Sequence, residues 1–364
     1  MLYYFIIIVV GILASFILFS KFPILKKGKA NNLPDKISII IPARNEEKNI
    51  GLLLRDLMSQ TTNIHEIICV DDGSVDQTYE VALSFGVKVV AIKDKPSDWT
   101  GKAWACQSGG AVATGDILLF LDADVRFSPD AISSLVYSYN QHKCVISVQP
   151  YHKTEKHYEQ FSFFFNLIQI AGNGTSIRFT QESAGLYGPV ILIDTDTYRA
   201  IDGHLAAKKS IVDDVALGEK LRQMGFPYKL FLGGKNISFR MYGNNFKSLF
   251  QGWTKNYATG ASKAPIFIFI LVFLWVASCA STVIYLVKAV ISLKLTYIVI
   301  GLILYACWIF EFFRISNRLG RFKKTTIIMF PVYLIFFIGV FLVSLFKKVF
   351  RKDVTWKDRK IKLD

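Results

Sequence analysis

Long uncharged apolar runs occupy both ends of the chain, and short apolar runs occupy its middle. Residues 2–20 carry no charge, and three further apolar stretches lie at 265–287, 295–310 and 325–346. These lengths predict membrane helices, since a spanning helix needs about 20 mostly apolar residues. No basic residue precedes the first run, whereas five lysines follow it by position 36. We therefore predict a retained anchor over residues 1–21, in preference to a cleaved signal peptide.

Between residues 37 and 245 the pattern changes to short apolar runs that alternate with amphipathic stretches. The runs are typical of buried strands, and the stretches between them have helical periodicity. Strands are predicted at 37–41, 66–70, 87–92, 116–121 and 144–148, and helices at 47–60, 76–84, 102–113 and 129–140. This alternation predicts a Rossmann-like α/β domain with a mostly parallel sheet, in which ligands bind at the carboxyl ends of the strands.

The charge of the chain is concentrated next to the apolar runs. Lysine and arginine outnumber aspartate and glutamate by 43 to 28, a formal net charge of +15. Residues 21–36 hold five basic and one acidic side chains, residues 311–324 hold five and one, and residues 347–364 hold eight and three. These segments carry +13, which leaves +2 for residues 37–310. A nearly neutral α/β domain argues against a nucleic-acid partner, and the basic flanks indicate contact with anionic lipid.

The basic flanks also predict the topology of a multi-pass protein of the cell membrane, with its α/β domain in the cytoplasm. One N-terminal and three C-terminal spans would place the basic tail outside. We therefore expect the stretch at 325–346, which Pro331 and Gly339 interrupt, to be re-entrant or interfacial. The predicted units are an anchor (1–21), a basic cytoplasmic linker (22–36), the α/β domain (37–245), an interfacial amphipathic helix (246–264), transmembrane or re-entrant helices (265–346) and a basic cytoplasmic tail (347–364).

Polar and acidic residues follow three of the predicted strands at the points where those strands end. The first strand is followed by PARNEE (42–47), the second by DDGSVDQT (71–78) and the fourth by DADV (122–125). Each segment alone is compatible with an ordinary turn or helix cap. Because the carboxyl ends of parallel strands meet at one edge of a sheet, we expect the three segments to converge on one crevice.

The residue types at this edge suit the handling of a diphosphate. Asp122 and Asp124 are one residue apart on an extended segment and suit a hard divalent cation that keeps positions open for phosphate oxygens. Lys102, in WTGKAW, is either a second cationic contact to the phosphates or an exposed first-turn lysine. Asp213 and Asp214 either complement the dipole of a helix that begins there or supply a carboxylate base for an acceptor hydroxyl.

Together these segments resemble the family 2 glycosyltransferases, whose motifs occur in the same order. The resemblance implies a GT-A fold, an inverting transfer from a nucleotide-activated sugar that is usually UDP-linked, and dependence on Mg²⁺ or Mn²⁺. Carried over position by position, the resemblance implies that Asp124, in preference to Asp122, ligates the metal directly. The implied site residues are Pro42, Ala43, Arg44, Glu46 and Asp72 for the nucleoside, Asp122 and Asp124 for the metal, and Asp214, preceded by Asp213, for the base.

Two longer segments narrow the resemblance. Residues 147–167 (SVQPYHKTEKHYEQFSFFFNL) and 239–261 (FRMYGNNFKSLFQGWTKNYATGA) are similar to the 4,4′-diaponeurosporenoate glycosyltransferases, membrane enzymes of C30 carotenoid biosynthesis. This similarity implies that one sugar, glucose from UDP-glucose, is attached to a lipophilic carotenoid acid. Residues 251–256 read QGWTKN where processive synthases carry QxxRW, which argues against chain extension.

The sequence leaves two chemical classes of acceptor open, a carboxylate and a hydroxyl. A carotenoid carboxylate is ionised at neutral pH and needs no base, whereas the hydroxyl of a diacylglycerol, ceramide-like or polyprenyl lipid needs Asp214. A non-catalytic membrane scaffold that binds nucleotide sugars is a hypothesis of another class. In the interfacial helix, Trp253 is a candidate contact to a lipid acceptor and Lys255 to the diphosphate; His204, in IDGH, is a candidate near the acceptor.

Overall fold

A computed structural model describes residues 1–28, 36–180, 183–210, 212–261 and 264–350, together with 354–356 and 359–361. The predicted linker at 22–36 and the predicted tail at 347–364 therefore lie in part outside the described residues.

Helices and strands follow each other along the chain much as the apolar pattern predicts. The helices are α1 (Leu2–Leu18), α2 (Glu47–Met58), α3 (Thr78–Ser84), α4 (Gly101–Val112), α5 (Ala131–His142), α6 (Phe163–Gly172), α7 (Thr195–Ala200), α8 (Asp213–Gln223), α9 (Phe246–Ala261), α10 (Ile266–Ile291), α11 (Leu295–Leu319), α12 (Lys324–Ile328) and α13 (Phe330–Val349). The strands are β1 (Ile37–Ala43), β2 (Glu66–Asp71), β3 (Lys88–Ala91), β4 (Ile117–Leu121), β5 (Val125–Phe127), β6 (Val145–Gln149), β7 (Tyr151–His152), β8 (Val190–Asp194), β9 (Tyr228–Leu232), β10 (Ile237–Phe239), β11 (Val354–Trp356) and β12 (Arg359–Ile361).

The central sheet has the strand order β3-β2-β1-β4-β8-β6-β9 among the described residues. Strands β1 to β4 pair in parallel, and β6 pairs in parallel with β9. Strand β8 is antiparallel to both neighbours. The predicted mostly parallel sheet is thus confirmed. Strands β8 and β9 were not predicted from the sequence, and the antiparallel direction of β8 depends on pairing with strands distant in the chain.

Helices cover both faces of this sheet, which explains why its central strands are apolar at consecutive positions. Ile39 and Ile41 of β1 belong to a core with α2 and α5, whereas Ile40 belongs to a core on the other face with α4 and α8. The sheet is therefore a rigid support, and its strand ends are fixed in position. A second, smaller sheet of order β5-β10-β7 follows from the end of β4 and leads through β10 to α9.

In the described part of the chain, α10, α11 and α13 are long and apolar enough to cross a membrane by length and composition. The shorter helix α1 packs closely along α10. A Cβ atom at Gly11 would lie 2.0 Å from Cβ of Ser278, and the Ser278 hydroxyl donates to the carbonyl of Ile8 at 3.0 Å. Small residues at a helix crossing allow this approach of two backbones. The N-terminal helix is therefore an integral part of the C-terminal helical block.

Helix α13 lies beside α9 over much of its length. Phe336 contacts the rings of Phe246 and Phe250, and the Ser344 hydroxyl donates to the carbonyl of Thr254 at 2.6 Å. The sequence predicts that α9 lies at the membrane interface and that α13 is interfacial or re-entrant. The contact between the two helices is compatible with both predictions. The course of α13 relative to a bilayer stays a prediction.

An ion pair within α11, with a buried glutamate, is hydrogen-bonded to the C-terminal end of α1. Glu311 accepts hydrogen bonds from the Ser15 hydroxyl at 2.7 Å and from Arg314 at 2.6 and 2.7 Å. Arg314 also donates to the carbonyl of Phe19 at 3.1 Å. Because Glu311 is only 2% exposed, loss of one partner leaves polar groups without compensation in an apolar environment.

We expect Glu311→Ala to lower the free energy of unfolding by about 3 kcal/mol, because Arg314 and Ser15 lose their shared partner. Thermal unfolding of the detergent-solubilised protein measures the effect. Glu80→Ala, at an exposed position of α3, is the matched control. Equal unfolding midpoints for the two variants would contradict a stabilising role for the ion pair.

Candidate active site

The carboxyl ends of β1, β2 and β4 open into one cavity of about 1200 Å³. The three polar segments predicted to converge do so here. The predicted site residues that line the cavity are Pro42, Ala43, Arg44, Glu46, Asp72, Lys102, Asp122, Asp124, Asp213, Asp214, Trp253 and Lys255. The cavity continues without interruption to apolar side chains of α6, α10 and α13. Its two parts therefore differ sharply in polarity.

The segments after β1 and β2 bind each other and form one wall of the polar part. Ala43 is paired in register with Asp71, so both loops begin side by side. Arg44 Nη1 donates to the carbonyls of Asp72 and Gly73, at 2.6 and 3.2 Å. Gly73 has φ of +65°, a conformation that glycine adopts without strain. This bracing holds the predicted nucleoside site in place before any ligand binds.

Lys102 links the two acidic pairs. Its Nζ lies 2.7 Å from Asp122 Oδ1 and 3.7 Å from Asp213 Oδ2. Burial raises the pKa of Asp122, although the charge of Lys102 opposes this effect. Burial opposes the charged form of Lys102, but the two carboxylates outweigh it and raise the pKa of Lys102 well above its ordinary value. Lys102 is therefore a permanent cation between the two acidic pairs, and not simply an exposed first-turn lysine.

Asp122 and Asp124 fit a divalent cation whose remaining ligands come from a substrate. Among the described residues, no group of three or more His, Cys, Asp or Glu side chains is placed to hold a metal alone. Both aspartates line the cavity, and carboxylate oxygens are hard ligands that suit Mg²⁺ or Mn²⁺. The same ions retain positions for phosphate oxygens and water. The donor set is thus compatible with a metal that arrives together with a diphosphate.

Asp214 is held by the main chain at the start of α8. Its Oδ2 accepts from the Gly188 N–H at 2.8 Å, and its Oδ1 accepts from the Val215 N–H at 2.9 Å. Burial, and next the charge of Asp213, raise the pKa of Asp214 to about 6. A carboxylate with this pKa is suited to accept a proton near neutral pH.

The segment that holds Asp214, residues 184–189, was not predicted from the sequence. A Cβ atom at Gly188 would lie 3.1 Å from both Asp214 Oδ2 and Lys102 Nζ, so a larger residue would push these side chains apart by a few tenths of an ångström. Gly185 approaches Val215 in the same way, and the carbonyl of Pro189 accepts from the Asp122 N–H at 3.0 Å. The glycines and proline of AGLYGP, directly before an apolar run, were the signal in the sequence.

Trp253 and Lys255 line the cavity as the interfacial-helix prediction expects. Trp253 is nevertheless 2% exposed. Its ring stacks on Phe165 at 4.7 Å between centroids, and its indole N–H donates to the Ser162 hydroxyl at 3.1 Å. Trp253 thus shapes the cavity wall mainly as a packed side chain. A contact between either residue and a substrate stays a prediction.

The structure corrects the prediction for His204. His204 is not among the described residues that line the cavity, and it is enclosed by Phe120 and Tyr198. Its Nδ1 is 2.8 Å from the Tyr198 hydroxyl, and burial lowers the pKa of the imidazole to about 4. His204 is thus a neutral, enclosed side chain that packs in the core, away from the cavity lining of the described residues.

Comparisons with known proteins agree with the motif order. The family model described as glycosyl transferase family 2 matches residues 38–202. The 4,4′-diaponeurosporenoate glycosyltransferases of Staphylococcus aureus strains MRSA252 and USA300 are 35% and 34% identical to the chain over 343 residues, which cover 92% of this chain and 90% of theirs.

A solved structure shows the same architecture. The mannosyltransferase PcManGT from Pyrobaculum calidifontis, in complex with GDP-Man and Mn²⁺, is similar with a TM-score of 0.53 and 14% sequence identity, over 93% of this chain and 95% of that chain. The likeness extends over the helical block as well as the sheet, and it confirms the predicted GT-A fold.

Proposed function

Because the chain belongs to glycosyl transferase family 2, we propose that it is a membrane-bound inverting enzyme that transfers one glucose from UDP-glucose to the carboxylate of 4,4′-diaponeurosporenoate, a C30 carotenoid acid. The name of the relatives supports this acceptor. The observation that carries the proposal is the single cavity that joins the acidic strand ends to apolar helix faces. A site of this kind matches a reaction between a charged, water-soluble donor and an apolar acceptor. Membership of an enzyme family argues against the non-catalytic scaffold.

In this proposal, the nucleoside of the donor binds between the segments that follow β1 and β2. Its diphosphate lies beside Lys102, Asp122 and Asp124. The two aspartates would hold Mg²⁺ or Mn²⁺, which when bound neutralises charge on the departing diphosphate. The mannosyltransferase solved with GDP-Man and Mn²⁺ supports a nucleotide-sugar donor and a divalent metal.

The transfer itself is a displacement at the anomeric carbon of glucose. The acceptor oxygen forms its bond from the face opposite the diphosphate, while the bond between the anomeric carbon and the diphosphate oxygen breaks, and UDP leaves with the electron pair. Inversion of configuration follows. A carboxylate acceptor carries no proton at neutral pH, so Asp214 orients the acceptor and removes nothing from it.

We place the enzyme in the cell membrane with its α/β domain in the cytoplasm, because its basic segments flank the apolar helices on that side. Anionic lipids would hold these flanks at the surface. The active site then meets UDP-glucose from the cytoplasm and the acceptor from the bilayer.

Extraction of lipids from cells that make the carotenoid acid, with and without this chain, tests the proposal. We expect mass spectrometry to detect a carotenoid carrying one hexose through an ester only when the chain is present. A sugar found instead on a hydroxyl lipid would overturn the proposed acceptor. A product with several sugars would overturn single transfer.

The position of Asp214 favours one second candidate, a transferase for a hydroxyl-bearing membrane lipid. Asp214 is half-buried, lines the cavity and has a pKa raised to about 6, as a general base needs near neutral pH. The two acceptors therefore predict different pH profiles for the same protein.

With a carboxylate acceptor, we expect kcat/KM to stay nearly constant from pH 7.5 to 5.5 and Asp214→Asn to cost less than about tenfold. With a hydroxyl acceptor, protonation of Asp214 removes the base, so kcat/KM falls about tenfold per pH unit below pH 6, and Asp214→Asn costs about 10²–10⁴-fold. Initial rates with each acceptor class distinguish the two outcomes. Asp202→Asn, outside the cavity lining, is the control.

A further inference from the structure

The apolar part of the cavity has a shape that its polar part does not explain. Along α10, the lining side chains recur every three or four positions and so lie on one helix face. They are Phe269, Val272, Phe273, Val276, Ala277 and Ala280. With a rise of about 1.5 Å per residue, this face extends for about 16 Å. That length greatly exceeds the need of a sugar or a phosphate.

A second wall completes a groove. Phe337, Ile338 and Phe341 of α13 line the cavity opposite this face of α10. The side chains of Phe269 and Phe273 are 44% and 63% exposed, so the groove is open laterally beside them. The small side chains of Ala277 and Ala280 line the end of the groove that is farther from the start of α10, which we call its deep part. We call these lining positions of α10 and α13 the tail groove.

A polar side chain lies in the same cavity. Gln169 of α6 lines it, and the amide oxygen of Gln169 is buried with no hydrogen-bond partner among the described residues. One turn farther, Asn173 accepts hydrogen bonds from Ala184 and Gly185, the segment that leads to Gly188 and Asp214. Gln169 therefore belongs to the helix that connects the apolar helices to the acidic site.

We infer that the tail groove binds the apolar tail of the acceptor lengthwise. This inference rests on the proposed function, since it presumes an acceptor with one reactive polar end. The groove and the acidic site belong to one cavity. The acceptor is therefore the expected occupant of the groove, because the acceptor has both an apolar tail and a reactive polar end, whereas the sugar donor is polar throughout. The groove then determines how long an acceptor the enzyme uses best.

Acceptor length provides the test. The full-length chain in lipid nanodiscs is assayed with UDP-glucose and either 4,4′-diaponeurosporenoate or a polyene acid of half its length. Ala280→Phe fills the deep part of the groove, so we expect at least a tenfold loss of kcat/KM for the long acid and less than a twofold change for the short one. Val287→Phe, exposed on α10 outside the cavity lining, is the matched control.

Two further variants report on the open side of the groove. We expect Phe273→Ala to raise the KM of the long acid severalfold, and Phe267→Ala, on another face of α10, to leave it unchanged. Equal thermal unfolding midpoints exclude a folding defect as the cause.

The outcomes separate the inference from the proposed function. A wild-type enzyme that uses the carotenoid acid, together with an Ala280→Phe variant of unchanged length preference, overturns the tail groove and leaves the function standing. A groove filled by a structural lipid gives that same result. A wild-type enzyme that glucosylates no apolar acid overturns the proposed function itself, and with it the inference.

Discussion

Asp124→Asn is expected to lower kcat/KM for UDP-glucose by about 10³-fold. The carboxylate lines the cavity at the end of β4, where the proposed donor diphosphate acquires charge as it leaves. Loss of a preorganised electrostatic partner at such a position typically costs 10²–10³-fold in rate. Initial rates of UDP release in nanodiscs measure the effect. We also expect EDTA to abolish the activity of the wild type, and Mn²⁺ or Mg²⁺ to restore it.

Asp116→Asn is the matched control, because Asp116 is an exposed aspartate at the opposite end of β4. It tests whether loss of any carboxylate near this strand slows the enzyme. An Asp124→Asn variant that kept wild-type activity, or an enzyme that was fully active in EDTA, would contradict the metal role.

Lys102→Met is expected to lower kcat/KM about 10²-fold. Lys102 lies within 2.7 Å of Asp122 and 3.7 Å of Asp213, so its removal leaves both acidic pairs without their common cation. The uncompensated negative charge of these carboxylates then repels an anionic diphosphate. We expect the KM for UDP-glucose to rise, and Lys102→Arg to recover part of the activity, since it restores the charge with a different shape.

Lys48→Met controls for the loss of a first-turn lysine, because Lys48 is the second residue of α2 just as Lys102 is the second residue of α4, but it is exposed. Activity equal to that of the wild type in Lys102→Met would show that Lys102 has no role in the reaction. An equal loss in both variants would indicate a general effect of charge.

The local pattern was sufficient to predict the elements that carry the acidic residues. Strand β1 and helix α2 begin at the predicted positions, because a buried apolar run and an amphipathic period are local properties. Strand β8 was missed, and its place between β4 and β6 depends on partners more than 40 residues away. Pairing at that distance leaves no periodic signal in the sequence.

The same distinction applies to the site. Asp122, Asp124 and Asp214 follow from residue type and position, whereas the hydrogen bond from Gly188 to Asp214 depends on a main-chain approach that only tertiary structure reveals. His204 shows the converse, because the IDGH segment that made it a candidate near the acceptor did not disclose that Phe120 and Tyr198 enclose it. The link between the acidic site and the tail groove likewise arises from α6, α10 and α13, which are far apart in the chain.

In the proposed reaction, one cavity brings a water-soluble sugar donor to a membrane-dissolved acceptor for a single transfer. Reconstitution of the full-length chain in nanodiscs that contain 4,4′-diaponeurosporenoate, with excess UDP-glucose, allows UDP and lipid products to be followed by mass spectrometry. We predict that one hexose is gained per acceptor and one UDP is released per hexose, with no larger product at long times. Release of UDP without any glycosylated carotenoid, or a ladder of products with several hexoses, would contradict this reaction.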